Sequence, residues 1–393
     1  MKYRLMEMLA CPECGNALEL SVFHALPREC VATSRATGCR RWCAYRGTPV
    51  GQGDRPEPCD ECRGVEVEEG LLTCIACSGL FPVTEGVPRL LAGALDDWPA
   101  FVTRWKDKSP ALAARVASTD PRRREFEARY RATQRSFEFE WLEFRETEDN
   151  DLVNFRRRSG KGPDELRGRT VLDVGCGMGR YLRLLAPQDG CDVVGLDLGR
   201  AAERAQRELG ALRPNVHLVQ GNLMHPPFRP GSFDLVYSLG VLHHTPNTAQ
   251  AFKSIVPLVA KGGELAVWVY YADMLRHPLR LWVSDALRSV TTRMPPRWVY
   301  YLAHLAGPLG WAQQVLLRRR WTTLLGAPLF LFTVRIKAPW RIRVMDTYDW
   351  YAPRYQWKHT HDEVRGWFEA AGFSELRRNP EDVSFSGRRP RFS

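Results

Sequence analysis

A short apolar segment that runs directly into a glycine-rich loop is the feature that most restricts how this chain can fold. Thr170–Val174 is followed by Gly175-Cys-Gly177-Met-Gly179 and then by Arg180-Tyr-Leu, which favours a helix start. Glycines let the backbone turn tightly between strand and helix and bring its amides close to a ligand. Asp197 ends the next apolar segment, 18 residues after Gly179, where nucleotide-binding folds place a ribose-binding carboxylate. The pattern predicts a doubly wound α/β domain.

Strands and helices alternate after Arg169, which supports that prediction. Apolar segments recur at Thr170–Val174, Asp192–Leu196, Val216–Val219, Phe233–Ser238 and Leu265–Tyr270. This spacing predicts a parallel sheet with crossover helices. The alternation is interrupted between Met274 and Val344. It resumes at His361 with an amphipathic helix that is predicted to end at Gly372.

Asp173 lies inside the first strand, two residues before Gly175. A negative charge would not help a phosphate-binding loop, whereas it suits a cationic ligand such as the ammonium group of S-adenosylmethionine. The string Val171-Leu-Asp-Val-Gly-Cys-Gly-Met-Gly-Arg180 resembles the first motif of class I S-adenosylmethionine-dependent methyltransferases with a type 11 methyltransferase domain. Further stretches agree in order and spacing, namely Val193–Asp197, Val219–Phe228, Phe233–His244 and Leu258–Gly263.

This resemblance implies a Rossmann-like, seven-stranded sheet and S-adenosylmethionine as the cofactor. It assigns the methionine and ribose part to Asp173 and the glycines, the two ribose hydroxyls to Asp197, and the adenine to Asn222 and Leu223. The full predicted set is Asp173, Gly175, Cys176, Gly177, Gly179, Asp197, Leu198, Asn222, Leu223 and Ser238. The family often has Asp where this chain has Asn222. An amide oxygen can still accept a hydrogen bond from the adenine amino group.

Nine of the 11 cysteines lie between Cys11 and Cys77. Most fall in pairs separated by two or three residues, which in a reducing compartment indicates metal ligation rather than disulfides. Cys11, Cys14, Cys74 and Cys77 have the spacing of a closed tetrahedral zinc site. With Phe81–Leu91, the module resembles the small zinc-ribbon family that includes the activator subunit of tRNA and protein methyltransferases.

The long insert between the two zinc knuckles carries five more cysteines. Cys39, Cys43, Cys59 and Cys62 could form a second zinc site, which would leave Cys30 unpaired. The alternative is that all five are ordinary reduced thiols. Outside the module, we expect Cys176 and Cys191 to be small buried residues beside the sheet.

We predict three regions. Residues 1–92 form the zinc-ribbon domain with its Cys-rich insert, residues 93–168 a helical linker and lid, and residues 169–393 the methyltransferase domain. A helical insertion is expected at about 271–357. Within the lid, Pro121 and the stretch Arg122–Phe144 predict a single amphipathic helix.

Histidines are the candidates for proton transfer. His243 and His244 follow the fourth predicted strand, at the sheet edge where such folds bind ligands, and could take a proton from an acceptor hydroxyl or amine. Tyr355 and His359 belong to the aromatic strip Asp346–His361. This strip and Ser136–Trp141 resemble the substrate-side segment and the aromatic lead-in of a methyltransferase subgroup. Plain packing is the alternative for all four residues, because methyl transfer depends mainly on positioning.

The formal charge of +11 is concentrated near the C-terminus. Residues 271–393 carry 20 Lys and Arg against 10 Asp and Glu, and Ala286–Met345 has no acidic residue. Basic residues interleaved with aromatics could bind RNA, lie on an anionic membrane, or form a helical cap over the active site. Arg318–Arg320 and Leu329–Val334 are the densest part of this stretch.

We expect methyl transfer to oxygen or nitrogen of a small-molecule or lipid-linked glycan acceptor. RNA methylation is the alternative enzyme hypothesis. A non-catalytic scaffold that holds a protein through the zinc ribbon is the third, and the intact Asp173 and Asp197 disfavour it. The sequence has neither a signal-peptide pattern nor a membrane-spanning apolar run, so a cytoplasmic protein with optional contact at the inner membrane face is expected.

Overall fold

The computed structural model describes residues 1–27, 38–50, 60–114, 121–144, 150–188, 190–272, 278–316 and 339–391. Thirteen strands occur in these ranges. They are β1 (Leu18–Pro27), β2 (Trp42–Cys43), β3 (Thr48–Pro49), β4 (Val65–Cys74), β5 (Leu80–Thr84), β6 (Val87–Leu90), β7 (Thr170–Val174), β8 (Asp192–Asp197), β9 (Val216–Gly221), β10 (Phe233–Leu239), β11 (Val259–Trp268), β12 (Ser374–Arg378) and β13 (Ser384–Arg388). Eleven of them form one sheet in the order β1-β4-β5-β6-β9-β8-β7-β10-β11-β13-β12, while β2 pairs with β3.

The last seven strands of this order form the predicted Rossmann-like sheet. The strands β9, β8, β7, β10 and β11 are parallel, whereas β13 runs antiparallel to β11 and β12 antiparallel to β13. β7 is buried along its whole length, as expected for a parallel strand covered on both faces. The strand order reverses beside β7, so a crevice is expected at the carboxyl ends of β7 and β10. The predicted α/β fold class is confirmed.

The N-terminal strands continue this sheet. β1, β4, β5 and β6 form an antiparallel meander. β6 then pairs in parallel with β9, through Arg89 opposite Gln220 and Leu90 opposite Gly221. The sequence indicated a separate small module and gave no sign of this pairing, because two residues of each strand make the connection.

Buried charges reinforce the contact between the N-terminal segment and β8. The Asp192 carboxylate lies 3.2 Å from Arg4 Nε and accepts hydrogen bonds from Arg63 Nη1 and Nη2 at 2.8 and 2.9 Å. Lys2 Nζ donates to the carbonyl oxygens of Gly210 and Val216 at 2.6 and 3.1 Å. All four charged side chains are almost completely buried, so their charges must be compensated within the protein.

The described ranges contain fourteen α-helices. They are α1 (Asp60–Gly64), α2 (Pro99–Trp105), α3 (Pro110–Ala113), α4 (Pro121–Arg129), α5 (Arg131–Glu143), α6 (Asp151–Ser159), α7 (Leu182–Leu185), α8 (Ala201–Ala205), α9 (Thr248–Ile255), α10 (Pro278–Thr291), α11 (Pro296–Ala303), α12 (Ala306–Leu316), α13 (Trp340–Tyr351) and α14 (His361–Ala370). None of them is long and apolar enough to span a bilayer.

The single helix predicted over Arg122–Phe144 is wrong, because α4 and α5 are separated at Tyr130. The backbone of Tyr130 leaves the ideal helical geometry, with φ −114° and ψ −27°. Its ring is buried 5.9 Å from the ring of Phe126, in a cluster with Leu91 and Ala94. Burial of this aromatic side chain against the N-terminal segment accounts for the break.

Helices of the insertion cover the carboxyl ends of the parallel strands. α11 and α13 pack on α5 through an apolar cluster that includes Phe144, Val299 and Tyr348. Large apolar side chains are exposed on the neighbouring helices of the insertion. We call them together the insertion surface, which comprises Trp282 on α10, Trp298, Tyr301 and Leu302 on α11, Leu305 after α11, and Trp311 on α12.

Candidate functional site

A cavity of about 1200 Å³ lies at the carboxyl ends of β7, β8 and β10. The strand ends contribute Asp173, Asp197 and Gly240 to its lining, and α5 and α13 form the opposite wall. Of the predicted cofactor residues, Asp173, Gly175, Cys176, Asp197, Leu198, Asn222 and Leu223 line the cavity. The sheet edge therefore brings together side chains from three separate motifs of the sequence.

The glycine-rich loop has the backbone geometry that the sequence predicted. Gly175 has φ +85°, and a Cβ atom there would lie 2.4 Å from a methyl group of Val241. The Asp197 carboxylate accepts hydrogen bonds from the amides of Gly177 and Gly199, both at 2.8 Å. Burial raises the pKa of Asp197, and these two amides oppose the rise. Each carboxylate oxygen can accept a further bond, which suits a diol such as ribose.

Asp173 is a buried acid whose charge has little compensation. Its side chain is 3% exposed, and Oδ2 has no hydrogen-bond partner within the described residues. Burial raises the pKa of Asp173 to about 8, while the Tyr237 hydroxyl lowers it and the charge of Asp197 raises it further. A cationic ligand would supply the missing compensation. The donor set at this end of the cavity therefore fits S-adenosylmethionine, which carries an ammonium and a sulfonium group.

Asn222 and Leu223 lie where the resemblance expected the adenine. Asn222 Oδ1 accepts a hydrogen bond from the Met224 amide at 3.0 Å, so the amide oxygen already has one partner. Leu198 and Leu223 add apolar surface to the same part of the cavity. Ser238 is fully buried and donates to the Val174 carbonyl oxygen at 3.1 Å, outside the cavity lining. Gly177 and Gly179 also lie outside the lining.

His244 is the predicted catalytic residue that lines the cavity. Its Nδ1 lies 2.9 Å from the Tyr355 carbonyl oxygen, which can only accept, so Nδ1 carries the proton. Burial lowers the pKa of His244, although the charge of Asp349 opposes this shift. The ring is therefore neutral near pH 7, and Nε2 has a lone pair 4.0 Å from Asp349 Oδ1. This atom can accept a proton from an acceptor group.

The other three catalytic candidates do not line the cavity, although His243 and the Tyr355 carbonyl oxygen contact the His244 ring. His243 is completely buried, with its ring centroid 4.0 Å from that of Tyr270. Tyr355 contributes its carbonyl oxygen, and His359 Nε2 lies 3.0 Å from the Thr248 hydroxyl. These positions favour packing and support of His244, and direct catalysis by the three residues stays a prediction.

Among the lining residues that the sequence did not predict, three carry charges that matter for the site. Glu140 lies in the Ser136–Trp141 segment, where the aromatic residues drew attention and the acid did not. Asp349 accepts a hydrogen bond from the Tyr270 hydroxyl at 2.6 Å. The Arg158 guanidinium lies over the Trp268 ring at 3.9 Å and donates to the Tyr181 hydroxyl at 3.1 Å. The available sequence signal for Glu140 was an acidic residue within an aromatic segment. No sequence signal pointed to Arg158.

The four predicted zinc ligands converge. The Sγ atoms of Cys11 and Cys77 are 3.6 Å apart, those of Cys14 and Cys74 are 3.4 Å apart, and all four lie within 4.8 Å of one another. Tetrahedral zinc with bonds of about 2.3 Å requires thiolates at such separations. The donor set therefore fits zinc.

A second thiol cluster contains three of the predicted ligands. Cys39, Cys43 and Cys62 are buried, with Sγ separations from Cys62 of 3.9 and 3.3 Å. Cys59 and Cys30 lie outside the described residues. Cys176 and Cys191 are buried, as expected.

Two parts of the chain match known families. Residues 172–267 match the methyltransferase domain family, and residues 2–86 match the Trm112p-like protein family. The matched residues 172–267 lie in the Rossmann-like sheet and contribute to the cavity, so this part of the chain is a methyltransferase-family domain. The chain joins this domain to an N-terminal Trm112p-like domain, and both resemblances are confirmed.

Curated relatives match only a part of the chain. A ubiquinone biosynthesis O-methyltransferase of Sodalis glossinidius is 32% identical over 161 residues, which cover 39% of this chain and 62% of that protein. The chloroplastic tocopherol O-methyltransferase of Arabidopsis thaliana is 31% identical, with coverages of 34% and 41%. A tRNA U34 carboxymethyltransferase of Idiomarina loihiensis is 33% identical, with coverages of 26% and 33%. The chain thus spans less than two thirds of each of these relatives.

Among solved structures, a chain of the complex between the Haloferax volcanii Trm112 methyltransferase activator and the putative methyltransferase is similar to this protein. The identity is 15% and the TM-score 0.37, and the match covers 65% of this chain and 97% of that chain.

Proposed function

We propose that the protein transfers a methyl group from S-adenosylmethionine to oxygen or nitrogen of a small-molecule acceptor. The observation that carries this proposal is the buried Asp173 carboxylate beside the glycine-rich loop, whose Oδ2 has no partner in the described part of the chain, in one cavity with Asp197. A nicotinamide cofactor would bring a pyrophosphate to this loop, which would disfavour ionisation of Asp173 further instead of compensating its charge. A non-catalytic scaffold would have no use for an uncompensated acid at this position.

Different residues around the glycine-rich loop would bind different parts of the cofactor. Asp173 would compensate its positive charge, and Asp197 would accept hydrogen bonds from the ribose hydroxyls. Arg158, whose Nε has no hydrogen-bond partner in the described part of the chain, would pair with the carboxylate. Asn222 and Leu223 would contact the adenine. When bound, the cofactor supplies an electrophilic methyl group.

On the acceptor side, the protein positions the attacking atom and excludes water. The aromatic side chains of Phe137 and Tyr270 line the cavity beside His244, with ring centroids 5.1 and 5.6 Å from that of His244. His244 Nε2 would accept the proton that the acceptor loses. Because an in-line displacement depends mainly on orientation, we expect loss of His244 to lower kcat less than loss of cofactor binding does.

We further propose that the acceptor is amphiphilic, such as a lipid-linked glycan, and that the insertion surface contacts an anionic membrane. Trp298, Tyr301 and Leu302 are spaced i, i+3 and i+4, so they share one side of α11, and all three are exposed. Interfacial helices place aromatic residues on such a side, with basic residues close by. Arg318–Arg320 and Leu329–Val334, which the sequence analysis singled out, lie outside the described residues.

RNA methylation remains the second candidate, since one relative is a tRNA-modifying enzyme. The acceptor end of the cavity disfavours it, because Glu140 and Asp349 line that end and would repel phosphates.

The N-terminal domain is proposed to bind zinc and to stabilise the methyltransferase sheet. Cys11, Cys14, Cys74 and Cys77 would hold one ion. Cys39, Cys43 and Cys62 would hold a second one with Cys59. Both ions would be structural, because four thiolates leave no open coordination position.

Calorimetric titration with S-adenosylmethionine tests the cofactor site. Asp197→Ala removes the hydrogen bonds to ribose, which at about 1.5–3 kcal/mol each predicts a loss of affinity of about tenfold or more. Glu369→Gln, on the exposed side of α14, is the control and should bind like the unchanged protein. Equal affinity in a folded Asp197→Ala variant would contradict the proposed site.

A further inference from the structure

The part of the cavity lining beside His244 combines acidic and aromatic side chains. Glu140 on α5 and Asp346 and Asp349 on α13 line it. The Tyr270 and Trp350 rings line the same region and stack with their centroids 6.1 Å apart, at 17° between the ring planes. Negative charge next to aromatic rings is the environment that proteins use for organic cations.

The surroundings of Glu140 indicate that its carboxyl group binds a positively charged ligand. Its side chain is 4% exposed, yet it lines the cavity, and Oε2 has no hydrogen-bond partner among the described residues. Burial raises the pKa of Glu140 well above its ordinary value, and the charges of Asp349 and Asp346 raise it further. A buried carboxyl group in this situation stays neutral until a cation compensates its charge.

Asp349 is held in place by the protein itself. Its Oδ2 accepts the hydrogen bond from the Tyr270 hydroxyl, and its Oδ1 faces His244 Nε2. The nearby Arg288 donates to the carbonyl oxygens of Trp350 and Pro353. Arg280 also lines the cavity, and its Nε has no hydrogen-bond partner among the described residues, but the charged neighbours that shift the pKa of Glu140 are Asp349 and Asp346.

A divalent metal ion fits this position poorly. In the described part of the chain, the groups of three or more side chains whose ligand atoms lie close enough to hold a metal are the two cysteine clusters. The carboxylates of the cavity do not form such a group. An organic ammonium ion needs only one or two carboxylates and an aromatic face, so it fits the spacing better.

We propose that the acceptor half of the cavity recognises a cationic acceptor, whose ammonium group lies beside Glu140 and Asp349 against the aromatic wall. This inference rests on the proposed methyltransferase function, because it concerns the second substrate of the same site. It narrows the acceptor from any small molecule to one that carries an amine.

Three small probes of similar shape test this selection. Tyramine carries an ammonium group, tyrosol has a hydroxyl at the same position, and 4-hydroxyphenylacetate has a carboxylate. Binding of each to the full chain is measured by calorimetry, with and without saturating S-adenosylhomocysteine. We expect tyramine to bind about tenfold or more tightly than tyrosol, and the anion not to bind.

Glu140→Gln keeps the shape and removes the charge, and it should abolish the preference for tyramine. It should also raise the melting temperature at neutral pH, since the folded protein no longer has to keep a buried acid protonated there, so failure to fold is not expected. Glu143→Gln, an exposed position on the same helix, is the matched control and should keep the preference.

Equal binding of tyramine and tyrosol, or an unchanged preference in Glu140→Gln, would overturn the inference. Binding of S-adenosylhomocysteine in the same samples reports separately on the proposed function. If it binds and tyramine shows no preference, only the inference about the acceptor fails. If S-adenosylhomocysteine does not bind, the proposed cofactor site is wrong. The titrations of tyramine and tyrosol without S-adenosylhomocysteine then still show whether the cavity prefers an amine.

Discussion

Replacement of Asp192 by Asn should weaken the contact between the N-terminal segment and the methyltransferase sheet and measurably lower the free energy of unfolding. The carboxylate compensates two guanidinium groups, those of Arg4 and Arg63, which are 2% and 4% exposed. Removal of one partner from a buried ion pair costs about 3–5 kcal/mol, because the remaining charge cannot be rehydrated. Since the introduced amide oxygen would still accept one hydrogen bond, we expect the free energy of unfolding to fall by about 3 kcal/mol.

Equilibrium unfolding in urea, followed by circular dichroism, measures this loss. Urea is preferable to guanidinium chloride because it is uncharged and does not screen the ion pairs. The control is Glu369→Gln, which breaks the exposed pair of Glu369 with Arg365 and should cost less than about 0.5 kcal/mol. If Asp192→Asn unfolds at the same urea concentration as the control, the buried charges do not stabilise this contact and the reasoning is refuted.

The pH dependence of the free energy of unfolding gives a second test of the role of Asp192. Burial alone would raise the pKa of Asp192, but the charges of Arg63 and Arg4 hold it well below the ordinary value of 3.8. The folded state therefore binds fewer protons than the unfolded state just below pH 4. The stabilisation by Asp192 is complete above that pH and is lost as the pH falls further. The variant should lack this acid-dependent loss.

Three further results are expected. The stability of the unliganded protein should fall as the pH rises from 3.8 towards 8, because Asp173 stays protonated in the folded state and ionises in the unfolded state. Asp173→Asn should flatten this dependence in thermal unfolding while it abolishes cofactor binding; an unchanged pH profile would contradict the raised pKa of the buried acid. Cys74→Ser should lose one zinc ion per chain by elemental analysis and unfold at lower temperature, whereas an unchanged zinc content would exclude this site. Joint replacement of Trp298, Tyr301 and Trp311 by Ala should reduce sedimentation with phosphatidylglycerol vesicles severalfold without a change in cofactor affinity; tight, salt-sensitive RNA binding would instead favour the RNA hypothesis.

Local patterns predicted the strands that bear the cofactor motifs. β7 begins and ends at the predicted residues, because a buried apolar run bounded by Gly175 signals a strand whatever surrounds it. The predicted start of β11 at Leu265 was wrong, because the strand begins at Val259. Lys261 and the glycines after it interrupt the apolar pattern, and Gly262 has a positive φ that no periodicity reveals.

The cofactor half and the acceptor half of the cavity also differed in how well the sequence predicted their residues. Asp173 and Asp197 sit in motifs whose spacing is fixed by strand and loop, so the sequence placed them correctly at the cavity. Glu140 and Asp349 meet only because α5 packs on α13, more than 200 residues later in the chain. No local pattern encodes such a meeting, which is why the acceptor half of the cavity became visible only in three dimensions.

The pairing of β6 with β9 also has a consequence for solubility. Without it, β9 would be the outer strand of the methyltransferase sheet, and its free backbone groups could pair with another molecule and start aggregation. Because the protecting strand belongs to the same polypeptide, its effective concentration does not depend on how much protein is present. Dilution therefore cannot uncover this edge. Unfolding of the N-terminal domain would uncover it, and if that domain holds zinc as proposed, we expect metal depletion to cause precipitation before it causes complete unfolding.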